Sequence, residues 1–269
     1  MAGLKKVAVV IPFYREELSH FEKIALSQCE KILAAYPKIA IKPIGLSVPA
    51  EIAVLSNLSE ISFDPEYFKD IHGYNRFVIS KLFYEAFAGF EYILIHQLDA
   101  FVFKDELDYW CDQDFDYIGA PWLRSKEYKN QFKSVTHQSL EYLHTRFNIK
   151  KQGVPTERQF INKVGNGGFS LRRIPKFIEV CNHFEKTIEQ YNARQERQFN
   201  EDIFWGIEVN RKQKILNIPD YKQAVKFAVE SSPEFALILN DGELPFGCHA
   251  WDRYIDFWRP VFKELGYTI

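Results

Sequence analysis

An α/β fold, a mixed and mostly parallel sheet of Rossmann-like winding flanked by helices, is predicted by three features of the chain. Near-continuous apolar runs, Val7-Ala8-Val9-Val10-Ile11 and Tyr92-Ile93-Leu94-Ile95, have the pattern of strands covered on both faces. Strand-like and helix-like stretches alternate through the first half, as βαβ units require. A single carboxylate, Asp99, stands just beyond the second run, and ligands of such sheets collect at the strands' carboxyl ends.

The opening strand is expected from Val7 to Pro12. Amphipathic spacing predicts a helix from Glu17 to Tyr36, then a strand from Ile39 to Val48. A helix from Tyr74 to Ala88 precedes the strand from Glu91 to Leu98, and a second short apolar run follows Asp99. Periodicity weakens between Trp122 and Lys163, where Gln138 to Phe147 is the one helix candidate; this stretch is expected over the sheet's edge or mouth. Helical spacing returns at Phe177 to Asn192 and Asn200 to Val209, and an aromatic helix candidate, Trp251 to Leu265, closes the chain. With no repeat or low-complexity linker, residues 1–269 read as one domain.

Composition narrows the function. A chain of 269 residues with 46% hydrophobic content can bury one large core. A net charge of -2, without long runs of one sign, gives no reason to expect a nucleic-acid partner. The aromatic share of 16% suits a binding cleft for sugar or base faces, and core packing accounts for it as well. The N-terminus lacks a signal-peptide core, and no stretch reaches the roughly 20 apolar residues of a membrane span. Cys29, Cys111, Cys181 and Cys248 are isolated, so the expectation is a reduced, cytoplasmic protein with no integral membrane segment.

Several segments carry candidate chemistry. Pro12, Tyr14 and Arg15 end the first strand at the rim where Asp99 stands; an ordinary turn with Arg15 in solvent is the alternative. Arg76 and Lys81 lie on the helix before the Asp99 strand, within reach of a nucleotide or simply on a solvated face. In Asn166-Gly167-Gly168-Phe169, the missing Cβ atoms would let a ligand approach the backbone closely. Asn200-Glu201-Asp202 opens a helix, where Asn200 can cap and the dipole favours carboxylates. His249, among small and aromatic residues, is either a core histidine or a ligand.

The run Gln97-Leu98-Asp99-Ala100-Phe101-Val102-Phe103 resembles the Asp-x-Asp segment of GT-A glycosyltransferases, with Gln97 in place of the first Asp. The glycine pair, the acidic pair and the late His follow in the order those enzymes show. The resemblance is closest to small bacterial GT-A-like proteins with segments like Asp116-Tyr117-Ile118-Gly119-Ala120-Pro121-Trp122. It implies a nucleotide-binding half at 1–120 and an acceptor-binding half at 121–269. It also implies a divalent ion, Mn2+ or Mg2+, held by Asp99 and His249, since one carboxylate with imidazole, phosphate oxygens and water is ordinary chemistry for such ions. Asp202, with Glu201 in reserve, takes the general-base role, while Asp116, Trp122, Gly167, Gly168 and Trp205 would face the acceptor.

The function so implied is transfer of a sugar from a nucleoside-diphosphate donor, a UDP-sugar by preference, to a hydroxyl of a glycan or other acceptor, with inversion. Bacterial polysaccharide or glycan synthesis is its setting. A nucleotidyltransferase or nucleotide-sugar hydrolase would use the same groups, although Pro12-Phe13-Tyr14-Arg15-Glu16 is not a Gly-rich, Lys-bearing loop. A non-catalytic nucleotide- or sugar-binding module is the other rival.

Overall fold

The computed structural model describes residues 4–124 and 131–269. The chain opens with β1 (Lys5–Pro12), α1 (His20–Leu33), β2 (Lys38–Pro43) and β3 (Leu58–Phe63). Two short helices, α2 (Ile71–Val78) and α3 (Lys81–Glu85), lead into β4 (Phe90–His96) and β5 (Ala100–Val102). Then come α4 (Leu107–Asp112), β6 (Tyr117–Gly119), α5 (Gln131–Arg146) and a hairpin of β7 (Lys150–Lys151) and β8 (Val154–Pro155). The remainder runs through β9 (Phe169–Arg173), α6 (Ile174–His183), α7 (Glu185–Asn192) and α8 (Glu201–Ile203), which continues as a π-helical turn over Phe204–Glu208. It closes with α9 (Tyr221–Phe227), β10 (Ala228–Val229), α10 (Pro233–Leu239), β11 (Gly247–His249) and α11 (Ile255–Glu264).

The main sheet has the order β3-β2-β1-β4-β9-β6. Its first four strands are parallel, while β9 is antiparallel to both neighbours. The mostly parallel α/β sheet flanked by helices is therefore as expected. A second, three-stranded sheet has the order β10-β11-β5.

Local chemistry explains where elements depart from the periodicity. Helix α1 starts at His20 rather than Glu17 because Ser19 and Glu22 form a capping box. The helix expected from Tyr74 to Ala88 is two helices, because the Ser80 hydroxyl accepts from the Phe83 amide at 3.3 Å and donates to the Phe77 carbonyl at 2.6 Å. The stretch from Phe177 to Asn192 likewise divides at Phe184. Strand β3 escaped the pattern because Leu58-Ser59-Glu60-Ile61-Ser62-Phe63 is a half-exposed edge whose three apolar residues neither alternate throughout nor run together. Asn200 does not cap α8 with its side chain; the Glu201 amide is instead bound by Asn75 Oδ1 at 3.0 Å.

The core lies on both faces of the main sheet. Val9, Ile11 and Leu94 point to one side, against Leu26, Trp110 and Phe227, while Ala8, Val10, Ile93 and Ile95 point to the other, toward Phe83, Phe177 and Trp205. A third cluster joins Phe101 to Trp251, Trp258 and Phe262 and seats α11. All four cysteines are buried and unbonded to one another, and no helix among the described residues is long and apolar enough to cross a membrane.

Trp205 belongs to this core. Its indole is fully buried, lies 4.2 Å from the Phe177 ring centroid and donates to the Val78 carbonyl at 3.3 Å. Trp205→Ala is expected to lower unfolding free energy by about 3–5 kcal/mol, the cost of emptying such a site, measured by urea denaturation.

Candidate functional site

A cleft of about 760 Å³ opens at the carboxyl ends of β1 and β4. Three strand registers assemble its floor. Antiparallel pairing of β11 with β5 sets His249 opposite Ala100, one residue from Asp99. Parallel pairing of β10 with β11 matches Val229 to Cys248, which carries Glu230 alongside His249. Pairing of β4 with β9 matches His96 to Phe169, and the Gln97 amide donates to the Gly168 carbonyl at 2.8 Å.

The His249 imidazole is the hub. Its Nε2 lies 3.1 Å from Asp99 Oδ1 and 3.1 Å from Gln97 Oε1, while Nδ1 faces Glu230 Oε1 at 3.6 Å. Burial disfavours the imidazolium, but the two carboxylates outweigh it and push its pKa up to about 10. Burial also opposes ionisation of Asp99 and Glu230, yet His249 holds both carboxyls below their ordinary values, and Asn166 adds a hydrogen bond to Glu230. Ala250, the next residue, has φ 48, a left-handed conformation uncommon outside Gly, Asn and Asp that turns the chain away just after His249.

The glycine pair serves the protein's own side chains. A Cβ at Gly168 would overlap the His249 imidazole, and one at Gly167 would overlap the Glu201 carboxylate. The sequence leads to the expectation of a ligand against these glycines; the groups that come close to them are these two side chains.

Glu201 and Asp202 are adjacent but differently placed. Glu201 is buried in a two-pronged pair with Arg172, both contacts at 3.1 Å, and Arg172 also donates to the Tyr84 hydroxyl at 2.8 Å. Among the described residues Asp202 has no such cation. Burial, then the charges of Glu201 and Glu230, raises its pKa to about 7, although the Ile203 amide donates to Oδ1 at 2.8 Å. The π-helical turn beginning two residues later, closed from the Val209 amide to the Phe204 carbonyl at 3.1 Å, is a local widening often found near functional groups.

Pro12, Tyr14, Arg15, Gln97, Asp99, Gly167, Gly168, Glu201, Asp202 and His249 all line the cleft. Arg15 does not reach into solvent alone; it pairs with Glu22 at 2.6 Å. Five other candidates stand elsewhere. Lys81 pairs with Glu85 at 3.1 Å one helical turn on, and Arg76 is not in the cleft lining. Asp116 is spent on the Arg173 guanidinium at 3.2 Å and the Asn217 amide at 2.7 Å. The Trp122 ring covers Gly165 and meets Phe160, and Trp205 is core.

Sequence reasoning missed Glu230, Glu22 and Arg253 in the lining. Glu230 follows Phe227-Ala228-Val229 as Asp99 follows its own apolar run, so the strand-end signal was present but only three residues long. Glu22 was visible as the fourth residue of a capping box.

Donor spacing bears on whether an ion fits. Adjacent ligands of an octahedral ion bound at about 2.1 Å lie about 3.0 Å apart. The Asp99–His249 and Gln97–His249 separations, both 3.1 Å, match that edge. No group of three or more His, Cys, Asp or Glu forms a ready-made cluster among the described residues; the Gln97 amide oxygen is a further polar atom beside His249.

A parallel sheet with a crevice at its strand ends, extended beyond β4 by an antiparallel strand, defines a fold of the GT-A glycosyltransferase type. Solved structures agree on the fold. The chain is similar over 90% of its length to the galactosyltransferase LgtC in complex with donor and acceptor sugar analogs, covering 86% of that chain at 13% identity with a TM-score of 0.51. The Q189E active-site mutant of LgtC matches over 90% of this chain and 86% of that chain at 14% identity and a TM-score of 0.51. The bifunctional glycosyltransferase WbbM matches 91% of this chain at 13% identity and a TM-score of 0.51, and the chain spans 45% of WbbM. At these identities the likeness is one of fold. The chain belongs to the family described as "Protein of unknown function (DUF5672)", whose model matches residues 57–249. No curated protein matches it.

Two outcomes test the site. Gly168→Ala should displace His249 and lower stability by about 1–3 kcal/mol, read by calorimetry, because a methyl group has no room there. Asp202, whose pKa is about 7 in the folded state against 3.8 as the ordinary value, destabilises the fold progressively as pH rises through that interval. Asp202→Asn should therefore raise Tm, with a larger gain at about pH 8 than at about pH 5, by thermal denaturation.

Proposed function

We propose that the protein transfers a sugar from a nucleoside-diphosphate donor, a UDP-sugar by preference, to an acceptor hydroxyl. The observation that carries this reading is the placement of Asp99 Oδ1 and Gln97 Oε1, each 3.1 Å from His249 Nε2, at the cleft of a fold of the GT-A type.

Electrostatics supports it. Once Arg15 has taken Glu22 and Arg172 has taken Glu201, the carboxylates of Asp99, Asp202 and Glu230 surround a single imidazolium, His249, and a bound ion would take the place of its Nε2 proton. A diphosphate entering that field would be repelled unless a cation came with it. Asp99, His249 and Gln97 would hold Mn2+ or Mg2+, and when bound the ion would offset charge on the departing diphosphate. Tyr14, half exposed at the end of β1, would lie against the nucleoside, with Arg15 oriented by Glu22 beside it.

Asp202 is the base in this scheme. Its two oxygens are not committed to a cation, whereas those of Glu201 are held by Arg172. A carboxylate with a pKa near 7 accepts a proton from an acceptor hydroxyl more readily than one at its ordinary value. Proton removal from a hydroxyl on the face opposite the diphosphate gives inversion at the anomeric carbon. Residues 1–120 then form the donor half and 121–269 the acceptor half, in a cytoplasmic enzyme of glycan synthesis.

Incubation of the purified chain with a panel of nucleotide sugars, candidate acceptors and manganese should release nucleoside diphosphate, and EDTA should abolish release. Asp202→Asn should lower kcat about 10²–10⁴-fold while donor binding by calorimetry persists. In the wild type, kcat/KM should rise with pH and level off above about pH 7, as Asp202 loses its proton. Nucleotide-sugar binding without turnover across the panel would instead identify a binding module.

A further inference from the structure

We propose that the outer face of α5 is a docking surface for an anionic lipid bilayer. The helix turns apolar side chains to solvent: Val135 is 63% exposed, Tyr142 62%, Leu143 41% and Phe147 70%. Phe147 extends the helical turn, its amide donating to the Leu143 carbonyl at 3.0 Å. At about 100° per residue these four side chains fall in one sector of about 140°, which the exposed Thr136, Ser139 and Arg146 share. The other side of α5 is fastened to the protein. Glu141 meets Arg124 at 3.3 Å, and His144 Nδ1 lies 2.7 Å from the Thr156 hydroxyl.

Among the described residues, the hairpin that follows this helix is basic. Lys150 and Lys151 are exposed on the hairpin that follows. Arg146 reaches the carbonyls of Arg211 and Lys212 at 2.9 and 2.7 Å, which brings the exposed Lys212 beside the helix. The single acid on α5, Glu141, is buried against Arg124. This basic border stands on a chain whose net charge is -2. An apolar helical face that sinks between headgroups, bordered by cations that meet anionic lipid, is the combination that binds a bilayer surface. A second copy of the chain fits less well, because a two-fold contact through this face would set the same lysines against one another.

Topology places the surface on the side of the cleft. Strands β4 and β6 are both antiparallel to β9 and so parallel to each other, which puts the end of β6 at the sheet edge where Asp99 stands. The excursion bearing α5 leaves from that end and returns beside it, the Trp122 amide donating to the Lys163 carbonyl at 2.9 Å. Docking in this form does not depend on the reaction assigned to the cleft.

The test is co-sedimentation of the full chain with vesicles. With equal parts phosphatidylglycerol and phosphatidylcholine the protein should pellet, with phosphatidylcholine alone it should stay in solution, and added salt should weaken binding. Tyr142→Ser with Phe147→Ser, and separately Lys150→Glu with Lys151→Glu, should each lower partitioning at least about tenfold while Tm is unchanged. Wild-type protein that ignores anionic vesicles, or variants that bind them equally, would overturn the proposal. So would a wild-type dimer in light scattering that Phe147→Ser converts to monomer.

Discussion

The register of β11 against β5 and β10 is the constraint on which the cleft depends. Each of the three strands is only two or three residues long, yet their pairing sets Asp99, Glu230 and His249 around one point. A slip of one residue would turn His249 to the opposite face, since side chains alternate along a strand. The aromatic cluster beneath the small sheet opposes such a slip. Phe101, paired with Cys248, packs on Phe262 at 4.2 Å and against Trp251, so the register is secured from its apolar side while its polar side remains free for chemistry.

A second constraint comes from charge burial. Arg172 enters the interior on β9 and is fully buried, with Glu201, Tyr84 and Ser170 as its partners. A lone guanidinium there would be prohibitive, so Glu201 is required for the fold. This explains how two neighbouring acids differ: satisfying Arg172 consumes Glu201 and leaves its negative charge beside Asp202. The same pair that stabilises the interior thus contributes to the raised pKa of the next residue.

Much of this was legible in the sequence, and what was not has identifiable physical causes. The runs Val7–Ile11 and Tyr92–Ile95 announce themselves because burial on both faces demands continuous apolar residues. Asp99, Gly167, Gly168, Asp202 and His249 were each visible as a polar or glycine residue set against an apolar run. Glu230 was not, because β10 is two residues long and its identity depends on partners distant in the chain. Trp205, Trp122 and Asp116 mislead for the converse reason. Nothing local distinguishes an aromatic that stacks on a ligand from one that fills a core, or a carboxylate in a cleft from one already held by Arg173.

The cleft also shows where the structure departs from local optima. His96, one residue before Gln97, is fully buried, neither ring nitrogen has a well-formed hydrogen bond among the described residues, and burial pushes its pKa down to about 4. Ala250 is left-handed, Asp202 is a buried acid with a raised pKa, and α8 gives way to a π-helical turn. Each feature costs stability, and all of them lie along the segments that form or support one crevice. A core of this size, with its aromatic clusters on both faces of the sheet, can offset costs of about 1–3 kcal/mol apiece. Left-handed residues such as Asn57 and Gln152 lie in turns away from this crevice, so it is the coincidence of a left-handed residue, a buried acid and a buried imidazole at the strand ends, and not backbone conformation alone, that sets the cleft apart.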